Sequence, residues 1–586
     1  MRSTRDIKTM KTCTAIANTA ANNFGHLRRT LPIFSTIRPT LLLLGLIFAL
    51  ASCKQHAETS SSLHTNQLLY RLPENSAAFS LMDFDGKGFQ NAQKAKETFL
   101  NQSSNLLSNP PEALSTLIHH QPFKEIWATL VKASQDSGIV NSSNGTTELH
   151  KFFTQGVYFL SSEDAKDRVV PHIGFIGKNR ANNTAHTLLA SLKQSFTNEG
   201  LACDLLTNTK TSTLTVTIPN ISRNAFFVAT DTFFGFATNK EDLTKLSLPS
   251  ALPGGESLVV SKEYLHLTHE LTPLPDTTGV SFISYQRVYP LLRYLSEALE
   301  QNDSLSVDLL PIDSILIQDS FSSIRLMSIK FGIQGRNKMQ NELLKAFNGL
   351  DLDHTPISFP SDTAPALKIN TLAIQAQSNP FKGFSPALSK LSAAIHAILV
   401  GFRANNTGSP LPDIFLTLSL QRNTDIVPLA KEIVNELLRI FNLPPQWGSK
   451  KIGKTSVDFF TTLIGAGVYI AQDTDAQVLL ASTSETGMRD LLDATQSKTS
   501  PMKKTFGELL ATDSKQLPLS SLYIDFDKTA SLVDSISGTL SMMTGGSSQL
   551  SSTIDTSLMR SAGHLGTRMT YSDHVLSIQI AHISKP

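Results

Sequence analysis

Cysteine is nearly missing from this chain. Only Cys13, Cys53 and Cys203 occur in 586 residues. So few thiols exclude a disulfide scaffold and a four-thiolate zinc site. Charge of one sign is missing too. The 51 Lys and Arg face 49 Asp and Glu, a formal net charge of +2, which gives no electrostatic reason to expect nucleic acid as a partner. Long apolar runs are also lacking. The longest, Leu41 to Leu50, is about half of what a transmembrane helix needs, so no spanning helix is expected. What is present is hydrophobic sequence at 40%, ample for packed cores. The length allows roughly two to five domains.

The N-terminus reads as an export signal. Arg2, Arg5, Lys8, Lys11, Arg28, Arg29 and Arg38 face a single acid, Asp6, and the apolar run then ends in small residues. A basic region, a short apolar stretch and small residues at its end make a secretory signal over residues 1–52. The stretch before the apolar run is longer than usual, so translation could begin downstream of Met1.

The ending Leu50-Ala51-Ser52-Cys53 resembles the lipobox of bacterial lipoproteins. The resemblance implies cleavage before Cys53 and acylation of its thiol, by palmitate or a similar chain, and of the new N-terminus. Several acyl chains, at about 0.8 kcal/mol per buried methylene, would hold the protein on a bilayer. Lys54 follows the cysteine. In enterobacterial lipoproteins an Asp there favours the inner membrane, so the resemblance points to the outer membrane of a Gram-negative cell envelope. Without its signal the chain turns slightly acidic. Residues 53–67 are polar, with Ser60-Ser61-Ser62, and read as a flexible tether.

The rest reads as a repeat. Pro275 to Phe282 matches Pro518 to Ile524 at an offset of 243 residues, and Arg180 with Asn183 matches Arg422 with Asp425 at 242. Ala229 to Thr232 matches Ala471 to Thr474 at 242, Ala237 to Glu241 matches Ala481 to Glu485 at 244, and Arg325 matches Arg568 at 243. The opening Pro73 to Phe79 matches Pro360 to Ala366 at 287, so the first copy carries about 45 additional residues, placed as a helical insertion at 101–151. Each copy should contain a strand, an amphipathic helix, β-branched strands and a second strand–helix unit. The helix stripes are Ala185, Leu188, Leu189, Leu192 and Phe196, and Val427, Ala430, Val434, Leu437 and Leu438, with Asn183 and Asp425 as N-caps. The expected fold is therefore α+β. It is a tandem duplication of an α+β domain with mainly antiparallel sheets, covering 68–350 and 355–586. The strand openings at Pro275 and Pro518, in an exported chain of this length, resemble a bacterial family of exported proteins that has no established activity to carry over.

Chemical motifs fail in their context. Gly448-Ser449-Lys450-Lys451-Ile452-Gly453-Lys454-Thr455 fits the P-loop pattern, which needs a strand before it and a helix after it. Strand-like sequence follows instead, so a basic hairpin turn is expected. Ser500-Pro501-Met502-Lys503 resembles the Ser-x-x-Lys of penicillin-binding enzymes, but its companions are out of order, and it reads as an exposed loop. His266, His269 and Glu270 do not match a zinc helix, and the neighbours His119 and His120 would diverge on a helix. Asp83-Phe84-Asp85 with Gly86 suggests a calcium loop, yet Lys87 and Lys94 occupy ligand positions; with Asp525-Phe526-Asp527 it reads as strand end and helix cap. Cys203 reads as a small buried hydrophobe. No metal, cofactor or catalytic residue is assigned. The expectation is a membrane-anchored envelope lipoprotein with a non-catalytic binding or scaffolding role. Its partners would be the bilayer through Cys53 and an envelope protein, glycan or lipid. An envelope hydrolase with scattered site residues is the alternative.

Overall fold

The computed structural model describes residues 66–85 except 74, 149–165, 168–218, 223–247, 261–268, 274, 276–290, 312–322, 324–335, 341, 358–370, 386–404, 412–420, 425–440, 446–461, 467–498, 500–510, 517–543, 556–572 and 574–585. The expected signal over 1–52 with Leu50, Ala51 and Ser52, the expected lipidation site Cys53 and nearly all of the expected insertion at 101–151 lie outside these residues.

The first half contributes β1 (Ser76–Asp83), β2 (Phe153–Ala165), β3 (Arg168–Asn179), helix α1 (Thr184–Asn198), β4 (Ala202–Thr207), β5 (Thr211–Ile218), β6 (Arg223–Thr230) and β7 (Phe233–Ala237). It continues with α2 (Lys240–Ser247), α3 (Lys262–Thr268), β8 (Thr277–Ser284), β9 (Ile312–Phe321) and β10 (Arg325–Ile333). The second half opens with β11 (Ala366–Asn370), α4 (Pro386–Ala394), β12 (Ile395–Arg403), β13 (Asp413–Leu420), α5 (Val427–Ile440), β14 (Gly448–Ile452), β15 (Thr455–Thr461), β16 (Gly467–Asp473) and β17 (Val478–Ser482). It ends with α6 (Glu485–Ser497), α7 (Pro501–Phe506), β18 (Leu517–Asp525), α8 (Phe526–Met543), α9 (Thr556–Ser561), β19 (His564–Ser572) and β20 (Val575–Ile583).

The twenty strands among the described residues form one sheet, and each pairs antiparallel with its neighbours. The first half runs β4-β5-β6-β7-β3-β2-β1-β8-β9-β10. The second continues from β10 as β20-β19-β18-β11-β12-β13-β17-β16-β15-β14. Rank by rank, the second half follows the strand order of the first in reverse. At the seam Ser328 lies opposite Gln579 and Lys330 opposite Ser577, and the pairing register is symmetric about the Ser328–Gln579 pair.

The α+β expectation is therefore corrected. Among the described residues strand outweighs helix, 49% against 32%, and a single sheet crosses both halves, so the fold is largely β. Local periodicity marks α1 and α5, but helices are few beside the strands they cover. A free edge on β10 and another on β20 also satisfy each other's backbone groups, which no local pattern announces.

Register tests the repeat position by position. Phe79 lies opposite Phe159 and Phe282, whereas Ala366 lies opposite Gly401 and Tyr523, so Phe79 and Ala366 occupy the same place. Ala237 and Ala481 are one residue out of register, because Ala237 lies opposite Gly174 and the residue opposite Phe415, in the same place, is Ser482; the match at Arg325 and Arg568 does not hold at all. Arg325 starts β10, while Arg568 sits in β19, whose counterpart is β9. Asp83 and Asp525 are not counterparts either, since they end β1 and β18.

Helices cover both sheet faces because alternate strand residues are apolar on each. Leu243 and Leu246 of α2 and Tyr264 and Leu267 of α3 pack on Phe79, Val157, Phe159, Ile176 and Phe282. On the opposite face the α1 stripe packs on Phe175, Leu214, Phe227 and Phe234. In the second half α6 and α7 bury Met488, Leu491, Met502 and Phe506 against Phe415, Leu480 and Tyr523. Val427, Ala430 and Val434 of α5 pack on Leu418, Ile470 and Leu479 across the sheet. The caps differ from expectation. Asp425 Oδ1 accepts from the Val427 N–H at 3.1 Å, but Asn183 has a left-handed φ of 66° and makes no capping bond through its side chain.

Candidate functional site

The polar face of α5 forms one wall of an open groove of about 500 Å³, and Asp458 of β15 contributes to the other. The helix turns its apolar stripe to the sheet, so the residues between, Lys431, Glu432, Asn435, Glu436 and Arg439, face outward. Lys431 Nζ lies 3.0 Å from Asp458 Oδ2 and 5.0 Å from the centre of the Trp447 ring. Trp447 Nε1 donates to Asn435 Oδ1 at 2.8 Å, and its ring lies 6.3 Å from that of Phe460. The groove walls carry the acids Asp425, Glu432, Glu436 and Asp458 against the bases Lys431 and Arg439. That chemistry suits a polar ligand rich in donors; it offers no apolar channel for an acyl chain.

A second constellation is built around the buried pair Arg403 and Asp413. Arg403 ends β12 opposite Asp413 of β13. Its guanidinium lies 2.6 Å from Asp413, 2.8 Å from Asp490 of α6 and 3.3 Å from Asp362. Ser484, the N-cap of α6, donates to the remaining Asp413 oxygen at 2.6 Å. Burial works against the Arg403 charge, but hydrogen bonds to Asp413 and Asp490 and the charge of Asp362 outweigh it and raise its pKa above the ordinary value. The arrangement clamps four segments together.

In the first half the same two strand positions carry Ser161 and His172, which lie opposite each other. Ser161 Oγ donates to Asp242 Oδ2 of α2 at 2.6 Å, and all three residues are buried. A Ser, a His and an Asp are thus brought together. The hydroxyl is committed to the carboxylate, though, instead of to the imidazole that nucleophilic catalysis requires. Burial pushes the Asp242 carboxyl up from its ordinary value, against the lowering effects of Ser161 and His172.

A third cluster joins Tyr523, His564 and Asp525. Tyr523 Oη lies 3.1 Å from Thr505 Oγ1 and 3.4 Å from His564 Nδ1, and Asp525 Oδ2 lies 3.7 Å from the same nitrogen. Asp525 also accepts from the Lys528 N–H at 3.2 Å and so caps α8. On the face shared with Tyr523, the row across the seam is polar: Gln318, Ser328, Gln579, Arg568. Burial lowers the Arg568 pKa to about 10.

The motifs singled out in the sequence fall as follows. The P-loop-like run forms the β14–β15 hairpin, where Ile452 pairs with Thr455 around Gly453 at φ +61°, so no helix N-terminus is available for phosphate. Ser500 is a helix cap where a loop was expected. It accepts from the Lys503 N–H at 3.3 Å, with Pro501 at the first position of α7. His266 is exposed near the end of α3, while His269, Glu270, His119 and His120 lie outside the described residues. Asp83 accepts from Asp85 N at 3.3 Å and Gln155 Nε2 at 3.4 Å, and Asp85 pairs with Arg180 at 2.5 Å. Cys203 is only half-buried, on β4. Among the described residues no group of three or more His, Cys, Asp or Glu could hold a metal ion, and no helix is long and apolar enough to cross a membrane.

Sequence reading missed Arg403 with Asp413, and Ser161 with His172 and Asp242. Their members sit on different elements, and only the register of neighbouring strands brings them together. No family model, curated protein or solved structure matches the chain.

Proposed function

We propose that this chain is an exported lipoprotein, held on a membrane by acyl chains on Cys53. Its body is a non-catalytic binding or scaffolding module of the cell envelope. The observation that carries this reading is Leu50-Ala51-Ser52-Cys53 directly behind a basic region and a ten-residue apolar run. Lys54 in place of Asp supports the outer membrane of a Gram-negative cell. Twelve residues lie between Cys53 and Asn66, so the body stays within roughly 45 Å of the anchor. The groove beside α5 supports binding of a polar partner, a glycan or a protein segment, in preference to a lipid tail.

The test is Cys53→Ala in the full chain, followed by membrane fractionation and labelling with a palmitate analogue. The wild type should take the label and sediment with membranes. The variant should lose the label and either leave the membrane or keep its signal. Normal processing and unchanged membrane retention of the variant would refute the anchor.

A further inference from the structure

The two ends of the sheet are built differently. At one end β14 carries Lys450 and Lys451, and Lys450 is tied to Glu485 at 2.5 Å. Lysines on an edge strand discourage pairing with another chain, because a docked strand would have to desolvate them. At the other end β4 reads Ala202-Cys203-Asp204-Leu205-Leu206-Thr207, with no lysine and a single acid. Its pairing among the described residues is to β5. Leu206 is 66% exposed, the highest value among the exposed large hydrophobics.

We propose that β4 is a self-association edge, pairing antiparallel with β4 of a second copy about a two-fold axis at Leu206. The strand is self-complementary in that register. Leu206 meets Leu206 of the copy on one face, Leu205 meets Thr207 on the other, and Asp204 meets Asn208. Placing the axis at Asp204 instead would set two carboxylates directly opposite each other, which is destabilising. An axis perpendicular to the sheet keeps α1 of both copies on the same side. The chain already uses this construction within itself, since β10 and β20 join its halves edge to edge with a symmetric register. An antiparallel pair of identical strands is closed by its own symmetry, so it gives a dimer and no filament through this edge. The inference does not depend on the lipid anchor.

The test uses the full chain, purified in mild detergent, with its mass measured by light scattering at micromolar concentration. The wild type should show two chains per particle, and Leu206→Lys should raise the dissociation constant at least tenfold. In a Cys203→Ser background, Leu206→Cys should form a disulfide with its own copy on mild oxidation. Leu206 is exposed, so these changes spare the core; circular dichroism verifies the fold. A monomeric wild type, an unchanged mass for Leu206→Lys, or a cysteine that captures a different protein instead of its own copy would each overturn the proposal.

Discussion

The two halves share a strand order but fill equivalent places with different chemistry. In the first half Phe159 of β2 lies opposite Gly174 of β3, and a Cβ on that glycine would stand 2.0 Å from the Phe159 ring. In the second half the glycine and the phenylalanine have traded strands: Gly401 is on β12 and Phe415 on β13. The space beside Gly401 goes to Thr363 and Phe359, and Phe415 turns towards Arg403 and Gly487. One large and one small residue fill such a layer from either strand, so what is preserved is the volume.

The polar hub shows the same freedom with a sharper energetic consequence. Where the first half has Ser161 and His172, the second has Arg403 and Asp413. The helix above also changes, from Asp242 on α2 to Gly487 on α6, each three residues beyond its N-cap, Asn239 or Ser484. A hydroxyl–carboxyl pair leaves the first hub neutral when Asp242 is protonated. The second hub depends on one guanidinium facing three carboxylates.

Removing that guanidinium should give the largest effect. Arg403→Met leaves Asp413 buried without its partner and should cost about 3–5 kcal/mol, read by urea or thermal unfolding. The counterpart change Ser161→Ala should cost clearly less; equal losses would break the contrast between the hubs. Next come the glycines. Gly174→Ala forces Cβ into a ring held between strands, at about 1–3 kcal/mol. Gly401→Ala presses mainly on the Thr363 methyl, at 2.6 Å, and should cost less. Phe159→Leu should relieve Gly174→Ala in a double-mutant cycle, and simple additivity would show that the ring is not the obstacle.

The smallest effect concerns pH. Burial raises the Asp242 pKa in the folded state, so its contribution to stability is fully present below the unfolded value and is lost as pH rises through the folded one. Asp242→Asn keeps an acceptor for Ser161 and removes the charge. It should raise the melting temperature more at pH 7 than at pH 4. A shift of the same size at both would show that Asp242 is not the titrating group.

Much of the local structure could be read directly. Ala185, Leu188, Leu189, Leu192 and Phe196 are all buried under α1, as their spacing requires. The 287-residue offset at the opening strand agrees with the register of Phe79 and Ala366. The matching basic turns at Lys210 and Lys454 also occupy the same hairpin rank. Arg325 and Arg568 misled because two neighbouring strands with similar alternation can be slid by one rank without any local penalty.

By itself the sequence determined the amphipathic helices α1 and α5, the hairpins and the repetition of their order, because helix and hairpin depend on neighbours within about a dozen residues. Only the tertiary structure decided that the two halves share one sheet, that β10 meets β20, and that Arg403 finds Asp362, Asp413 and Asp490. Nothing in β10 or β20 names the other as its partner, and a charge cluster assembled from four segments exists only once those segments have been brought into register.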